Sequence, residues 1–172
     1  VYSVDRNFRP MDSYVRLLKD GSLLGSGRFQ FDERGGSLEC DSRVLGHVVQ
    51  RVDQPGGFPS FGPHPLTADI WQLARYDHAS KQKVQYFDSA LSSLEHDGCS
   101  GPIHFGIEFL GPETITVPAG TFETHHYQFH LDGTLPQEHP REQLWCIPGD
   151  FIFVQIRVDG YMSTTYQLTE LE

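Results

Sequence analysis

Glu113-Thr-Ile-Thr-Val-Pro-Ala-Gly-Thr-Phe122 runs directly into Glu123-Thr-His-His-Tyr-Gln-Phe-His-Leu131, and the reading of this stretch decides the fold. Pro118 and Gly120 supply a fixed φ and a permissive one, so they read as a tight turn between Thr114–Val117 and a strand from Phe122. Beyond the turn the side chains alternate with the period of a β-strand. His125, Tyr127, Phe129 and Leu131 share one face, and Thr124, His126, Gln128 and His130 share the other. A one-residue slip of register would exchange His125 and His126.

Working outward, the same alternation recurs. Ile103, Phe105, Ile107 and Phe109 oppose His104, Gly106 and Glu108. Ile152, Val154, Ile156 and Val158 oppose Phe151, Phe153, Gln155 and Arg157. Between Phe151–Val158 and Tyr161–Leu168 stands Asp159-Gly160, and Asp20-Gly21 separates Tyr14–Lys19 from Leu23–Asp32. Asp-Gly between extended runs is a strong hairpin signal, because a type I′ turn needs positive φ at both central residues. Further strands are expected at Leu38–Cys40, Val44–Val52, Ile70–Tyr76, Val84–Phe87 and Leu144–Ile147, with one short helical turn at Ser89–Leu94. Many short strands with Gly/Pro punctuation imply an all-β chain whose antiparallel sheet curls or closes into an open β-barrel, with little helix.

The 172 residues are read as one domain, 1–172. Net charge is −10, without a Lys/Arg cluster, which argues against nucleic acid and anionic membrane as partners. No apolar run reaches the roughly 20 residues needed to span a bilayer, so stable membrane insertion is not expected. Cys40, Cys99 and Cys146 are far apart and odd in number. One disulfide plus a free thiol is possible, but three free thiols are the simpler reading, which leans toward the cytoplasm. A leader trimmed ahead of Val1 would instead make the protein periplasmic.

If the strands are neighbours, their polar sides assemble one surface from Arg28, Gln30, His104, Glu108, His126, Gln128, His130, Gln155, Arg157 and Tyr161. Lysine is absent from this set, whereas an ordinary solvated face carries Lys and Glu. His104, His126 and His130 are candidate bases, Glu108 a carboxylate that orients one of them, and Tyr161 an acid. Arg28, Gln30, Gln128, Gln155 and Arg157 are candidate substrate-binding groups. Residues 54–65 hold four Pro and three Gly and form a stiff loop. Its Phe58 and Phe61 either tuck into the core or cover a ligand; the ligand reading adds both to the binding set. The bland alternative for the whole polar surface is a wet sheet face.

Metal and cofactor chemistry find no support in the spacing. His126 and His130 stand about 13 Å apart on a regular strand, and no zinc spacing occurs. Gly21–Gly27 has no following helix to hold a dinucleotide phosphate. No Gly-x-Ser-x-Gly elbow is present.

Val117-Pro-Ala-Gly-Thr-Phe122, preceded by Gly111-x-Glu113 and followed by Leu144-Trp145 and Phe151–Val158, resembles the central motif of the bacterial "domain of unknown function 3108" family. The resemblance covers roughly Ala68 to Glu172. It implies a curled antiparallel sheet or open barrel, similar to calycin and lipoprotein-carrier folds, and an exported protein. It assigns no functional residues.

Two functional readings follow. The first is a cofactor-independent enzyme of lyase or isomerase type, using acid–base chemistry on a hydrophobic or aromatic small molecule. The second is a non-catalytic carrier of a lipid or other apolar ligand, which rests on fold analogy. A homo-oligomer is compatible with either.

Overall fold

The computed structural model describes residues 1–63, 65–92, 100–131, 140–160 and 163–172, with backbone only at 100–102. The fold is all-β, as the alternation predicts. One sheet has five strands. The other has seven and is strongly curled, forming half a barrel.

The five-strand sheet runs in chain order: β1 (Tyr2–Val4), β2 (Pro10–Lys19), β3 (Ser22–Asp32), β4 (Gly35–Ser42) and β5 (Gly46–Asp53). The β2–β3 turn is Asp20-Gly21, with φ of 49° and 74°, so both central residues adopt the positive φ that the dipeptide foretells. The second sheet contains β6 (Phe61–Gly62), β7 (Val84–Ser92), β8 (Ser100–Val117), β9 (Gly120–Leu131), β10 (Glu142–Ile147), β11 (Ile152–Val158) and β12 (Thr164–Gln167). Its order is β12-β11-β10-β9-β8-β7-β6, antiparallel from β8 to β12 and parallel between β6 and β7. The Pro118-Ala119 turn joins β8 to β9, pairing Val117 with Gly120, whose φ is 135°.

Three local expectations are corrected. Ile70–Tyr76 is not a strand: Leu66–Arg75 forms a 3₁₀ helix, burying Asp69, Ile70, Gln72 and Leu73. Buried positions at i, i+1, i+3 and i+4 follow a helical period, which the run of mixed residues concealed. Ser89–Ser92 belongs to β7 and not to a helical turn, while Leu94 lies outside the described residues. Ile103–Leu110 and Thr114–Val117 are one strand, bent by a bulge between Phe109 and Gly111.

The chain gathers into two compact units, Val1–Ala68 with Asp88–Ile103, and Asp69–Phe87 with His104–Glu172. The first unit has a core of Phe29, Leu38, Cys40, Phe61 and Ala90, flanked by Phe31, Phe58 and Val52 among others. Each fully buried ring or aliphatic side chain contributes about 1.5–3 kcal/mol through removal from water. The second unit buries Ile70, Leu73, Phe105, Ile107, Tyr127, Leu144, Val154, Ile156 and Val158. Cys40 is disulfide-bonded and Cys146 is free and buried, which corrects the reading of three free thiols. Sequence spacing alone carries no information on which cysteines meet in space.

Candidate functional site

Register settles which histidine faces where. Three strand pairings set Glu108 opposite Gln128, Gln128 opposite Gln143, and Gln143 opposite Arg157. The next row sets His126 opposite Trp145 and Trp145 opposite Gln155. His126, Gln128, His130, Gln155 and Arg157 therefore share the polar face of the curled sheet with Glu108. His125 takes the other face, where its ring lies 4.9 Å from that of Phe109.

The strongest cluster on this face centres on Glu108. Glu108 is 7% exposed. One oxygen, Oε1, meets Lys83 Nζ at 2.6 Å, and the other, Oε2, meets His130 Nε2 at 2.7 Å. The Lys83 ammonium, more than any other group, holds the Glu108 carboxyl below its ordinary range, with His130 adding to the effect and burial opposing it. In return the carboxylate pushes the Lys83 ammonium up. The Gln128 carboxamide lies 3.2 Å from the same His130 nitrogen. When Nε2–H of a neutral His130 donates to the carboxylate, the lone pair resides on Nδ1.

An aromatic platform adjoins this cluster. His130 pairs across the strands with Gly106. A Cβ on Gly106 would stand 2.7 Å from Val84 Cγ1 and 3.0 Å from Tyr86 Cε1. The glycine thus lets the Tyr86 ring lie close to the strand beside His130. Tyr86 is 52% exposed and stacks on His104, ring centroids 5.4 Å apart and nearly parallel.

A second cluster lies along the same strand. His126 Nδ1 is 3.0 Å from Glu113 Oε2, which also accepts a hydrogen bond from Trp145 Nε1 at 2.8 Å. The His126 ring stacks on Trp145 at 4.0 Å. Burial holds the imidazole below its usual range despite the pull of Glu113. Arg157 Nη2 donates to Gln143 Oε1 at 2.9 Å, and Gln167 Nε2 donates to Gln155 Oε1 at 2.8 Å. These contacts make the sheet's far edge a network of side-chain amides.

Several expected members fall elsewhere. Arg28 and Gln30 are exposed on β3, a strand of the five-strand sheet and not of the curled one. Phe61 is fully buried, its ring 4.9 Å from both Phe29 and Phe31, and Phe58 packs edge-on against Phe31 at 5.5 Å. Both rings belong to the first unit's core, where burying apolar area outweighs leaving it on a lid. His104 stands opposite neither His126 nor His130: His126 pairs with Gly111, and His130 with Gly106. Tyr161 lies outside the described residues. Among the described residues, no group of three or more His, Cys, Asp or Glu is arranged to hold a metal ion. None of the helices among them is long and apolar enough to cross a membrane.

Sequence reasoning missed Lys83, Tyr86, Glu113 and Trp145. Lys83 precedes its strand and so escapes an alternation count; it is also the lysine that the inferred face lacked. Glu113 reaches His126 past the bulge between Phe109 and Gly111, which no periodic reading contains. Comparison with protein-family models, with curated proteins and with solved structures finds no match to this chain.

Proposed function

We propose that the protein is a cofactor-independent enzyme of lyase or isomerase type, in which His130 moves a proton on a small hydrophobic or aromatic substrate. The observation that carries this reading is the contact of His130 Nε2 with the Glu108 carboxylate at 2.7 Å. A buried carboxylate fixes the imidazole's orientation and tautomer and stabilises the imidazolium formed when Nδ1 takes a proton. Lys83 keeps that carboxylate ionised, so Glu108 acts as a partner to His130 and not as a competing acid. The half-exposed Tyr86 ring, stacked on His104, offers a flat apolar surface beside the base, which favours an aromatic or hydrophobic substrate. Gln128 beside His130 can hydrogen-bond a substrate oxygen. The carrier reading gains no comparable observation.

Proton exchange tests the proposal without a known product. Incubation in heavy water with a panel of small aromatic and aliphatic carbonyl compounds, followed by mass spectrometry, should show deuterium entering at least one compound or its conversion. His130→Ala should abolish this. A substrate turned over equally well by the wild type and His130→Ala would sink the assignment.

We further propose that the chain is related to the "domain of unknown function 3108" family and acts in an oxidising compartment. The motif Val117–Phe122 supports the first statement, and the disulfide at Cys40 supports the second, because such bonds persist outside reducing cytosol. Protein alkylated in denaturant should show one modified cysteine without reductant and three with it. Three modified cysteines in both conditions would contradict the compartment.

A further inference from the structure

We propose that Gln128 is a catalytic residue: its carboxamide N–H donates to the oxygen of a carbonyl compound while His130 takes a proton from the neighbouring carbon. This role presupposes His130 as the base and names its substrate class, a carbon acid whose C–H stands next to a carbonyl.

The donor follows from where the hydrogens must lie. His130 Nε2 is 2.7 Å from Glu108 Oε2, and Lys83 Nζ meets the other oxygen of that carboxylate at 2.6 Å. An ionised carboxylate only accepts, so the proton of the short contact belongs to His130 Nε2. The Gln128 terminus nearest to this nitrogen, at 3.2 Å, is placed as Nε2. Two donors would then face each other. Turning the carboxamide over barely changes its outline and replaces that clash by a hydrogen bond from His130 Nε2 to Gln128 Oε1. The Gln128 NH₂ group then points away from the imidazole.

Both groups are open to a substrate. Gln128 and His130 are two residues apart on β9, so their side chains leave the same face. Among the described residues, neither the far end of the Gln128 carboxamide nor His130 Nδ1 has a hydrogen-bond partner, and neither atom is shut away from solvent. Lys83 and Arg157 also carry donors on this face. Lys83 is engaged by Glu108, and Arg157 stands two strands from Gln128 with its Nη2 on Gln143 Oε1. The donor beside the base is the Gln128 NH₂.

The chemistry needs no further reactant. His130 Nδ1 takes the C–H proton. The C–H electron pair forms a C=C bond and the carbonyl pair moves onto oxygen, giving an enolate and an imidazolium. Glu108 stabilises the imidazolium. The enolate oxygen accepts a stronger hydrogen bond from Gln128 than the carbonyl did, which lowers the barrier. Return of the proton to another carbon of a conjugated system is an isomerisation. Loss of a group from the β-carbon, which leaves with the electron pair and the proton, is a lyase reaction.

Two measurements test the role. Neutron diffraction from crystals grown in heavy water needs no substrate. It should place a deuteron on His130 Nε2 and turn the Gln128 amide deuterons away from it; amide deuterons aimed at His130 overturn the proposal. Deuterium exchange then uses acetophenone and phenylacetone as probes, with ethylbenzene as the comparison that lacks a carbonyl. The wild type should label the ketones above the buffer blank and leave ethylbenzene unlabelled. Gln128→Met, close in size and without a donor, should lower the saturating rate about 10²-fold, with KM changed far less. Should Gln128→Met not fold, Gln128→Glu, which can only accept, is read the same way. If His130→Ala is silent and the folded Gln128 variant keeps its full rate, Gln128 loses its role and His130 stands as the base. If His130→Ala labels the ketones as fast as wild type, the base falls and Gln128 with it. Ketones left unlabelled by the wild type overturn the substrate class.

Discussion

Glu108 and Glu142 both expose little surface, 7% and 3%, on opposite faces of the same curled sheet, yet they are pushed in opposite directions. Glu108 is a carboxylate at neutral pH because Lys83 and His130 each take one of its oxygens. Glu142 has one oxygen without a partner and a second acid beside it. Surface exposure alone therefore does not decide whether an acid is charged. Depth and partners do: Glu142 lies far deeper and is desolvated more, and only Glu108 recovers its cost through opposite charge and hydrogen bonds. The polar face can thus hold a permanent anion ready to orient a base, while the apolar face holds a proton.

The largest effect that can test this contrast is chemical. On a substrate found by deuterium exchange, His130→Ala should lower kcat/KM by about 10²–10⁴-fold, the range of a positioned general base. Glu108→Gln, which keeps shape and removes charge, should also reduce turnover, and by less. If Glu108→Gln leaves turnover unchanged, the carboxylate does not orient the base, and the two faces differ in electrostatics without consequence for chemistry.

Stability provides a comparison of signs. Glu108→Gln should lose about 1–3 kcal/mol by denaturant unfolding at pH 7.5, because charge-assisted hydrogen bonds to Lys83 and His130 become neutral ones. Glu142→Gln should gain at the same pH. Two losses, or two gains, would dissolve the distinction between the partnered and the unpartnered acid.

The pH response separates the faces again. Glu108 is depressed below the carboxylate range, so its contribution is present above the ordinary value and is lost as pH falls through the folded one. The Asp69–Glu142 pair loses its contribution as pH rises toward 7. The wild type should therefore be most stable in mild acid, with an acid limb that Glu108→Gln flattens and an alkaline limb that it leaves alone. Urea midpoints between pH 2.5 and 8.5 measure both limbs. An acid limb unchanged in Glu108→Gln would remove Glu108 from the account.

The polar face was legible from alternation because a strand's period is fixed by its backbone. His126, Gln128, His130, Gln155 and Arg157 could be assigned to one side before any pairing was known. The type I′ turn at Asp20-Gly21 was equally legible. What escaped was set by non-periodic geometry. Lys83 reaches Glu108 from just before β7, Glu113 reaches His126 past a bulge, and Asp69 enters the core on a 3₁₀ helix that resembled a strand. Arg28 and Gln30 carried the right alternation on the wrong sheet, because alternation is local and sheet membership depends on long-range pairing. Phe58 and Phe61 show the same limit: a stiff loop was read correctly, but where its rings point depends on what lies beneath.

The smallest predicted effect concerns a neutral polar group on the apolar face. Tyr127 is fully buried, and its hydroxyl lies 3.0 Å from His78 Nε2 and 3.4 Å from His125 Nδ1. Its ring packs against Tyr76 and Phe109. Burial pushes the phenol up, so it remains neutral throughout the working pH range. Tyr127→Phe keeps the ring packing and removes one hydrogen-bonding group. His78 is exposed and can turn to water, which leaves only the half-buried His125 with a weaker environment. The expected loss is about 0.5–1.5 kcal/mol, read from the urea midpoint at constant slope. That is less than the charged pair on the opposite face should show, because a neutral group whose partner can rehydrate forfeits only a net hydrogen bond. A loss as large as that of Glu108→Gln would mean that hydroxyl and imidazoles act as a unit, and that the apolar face holds a polar network comparable to the one around Glu108.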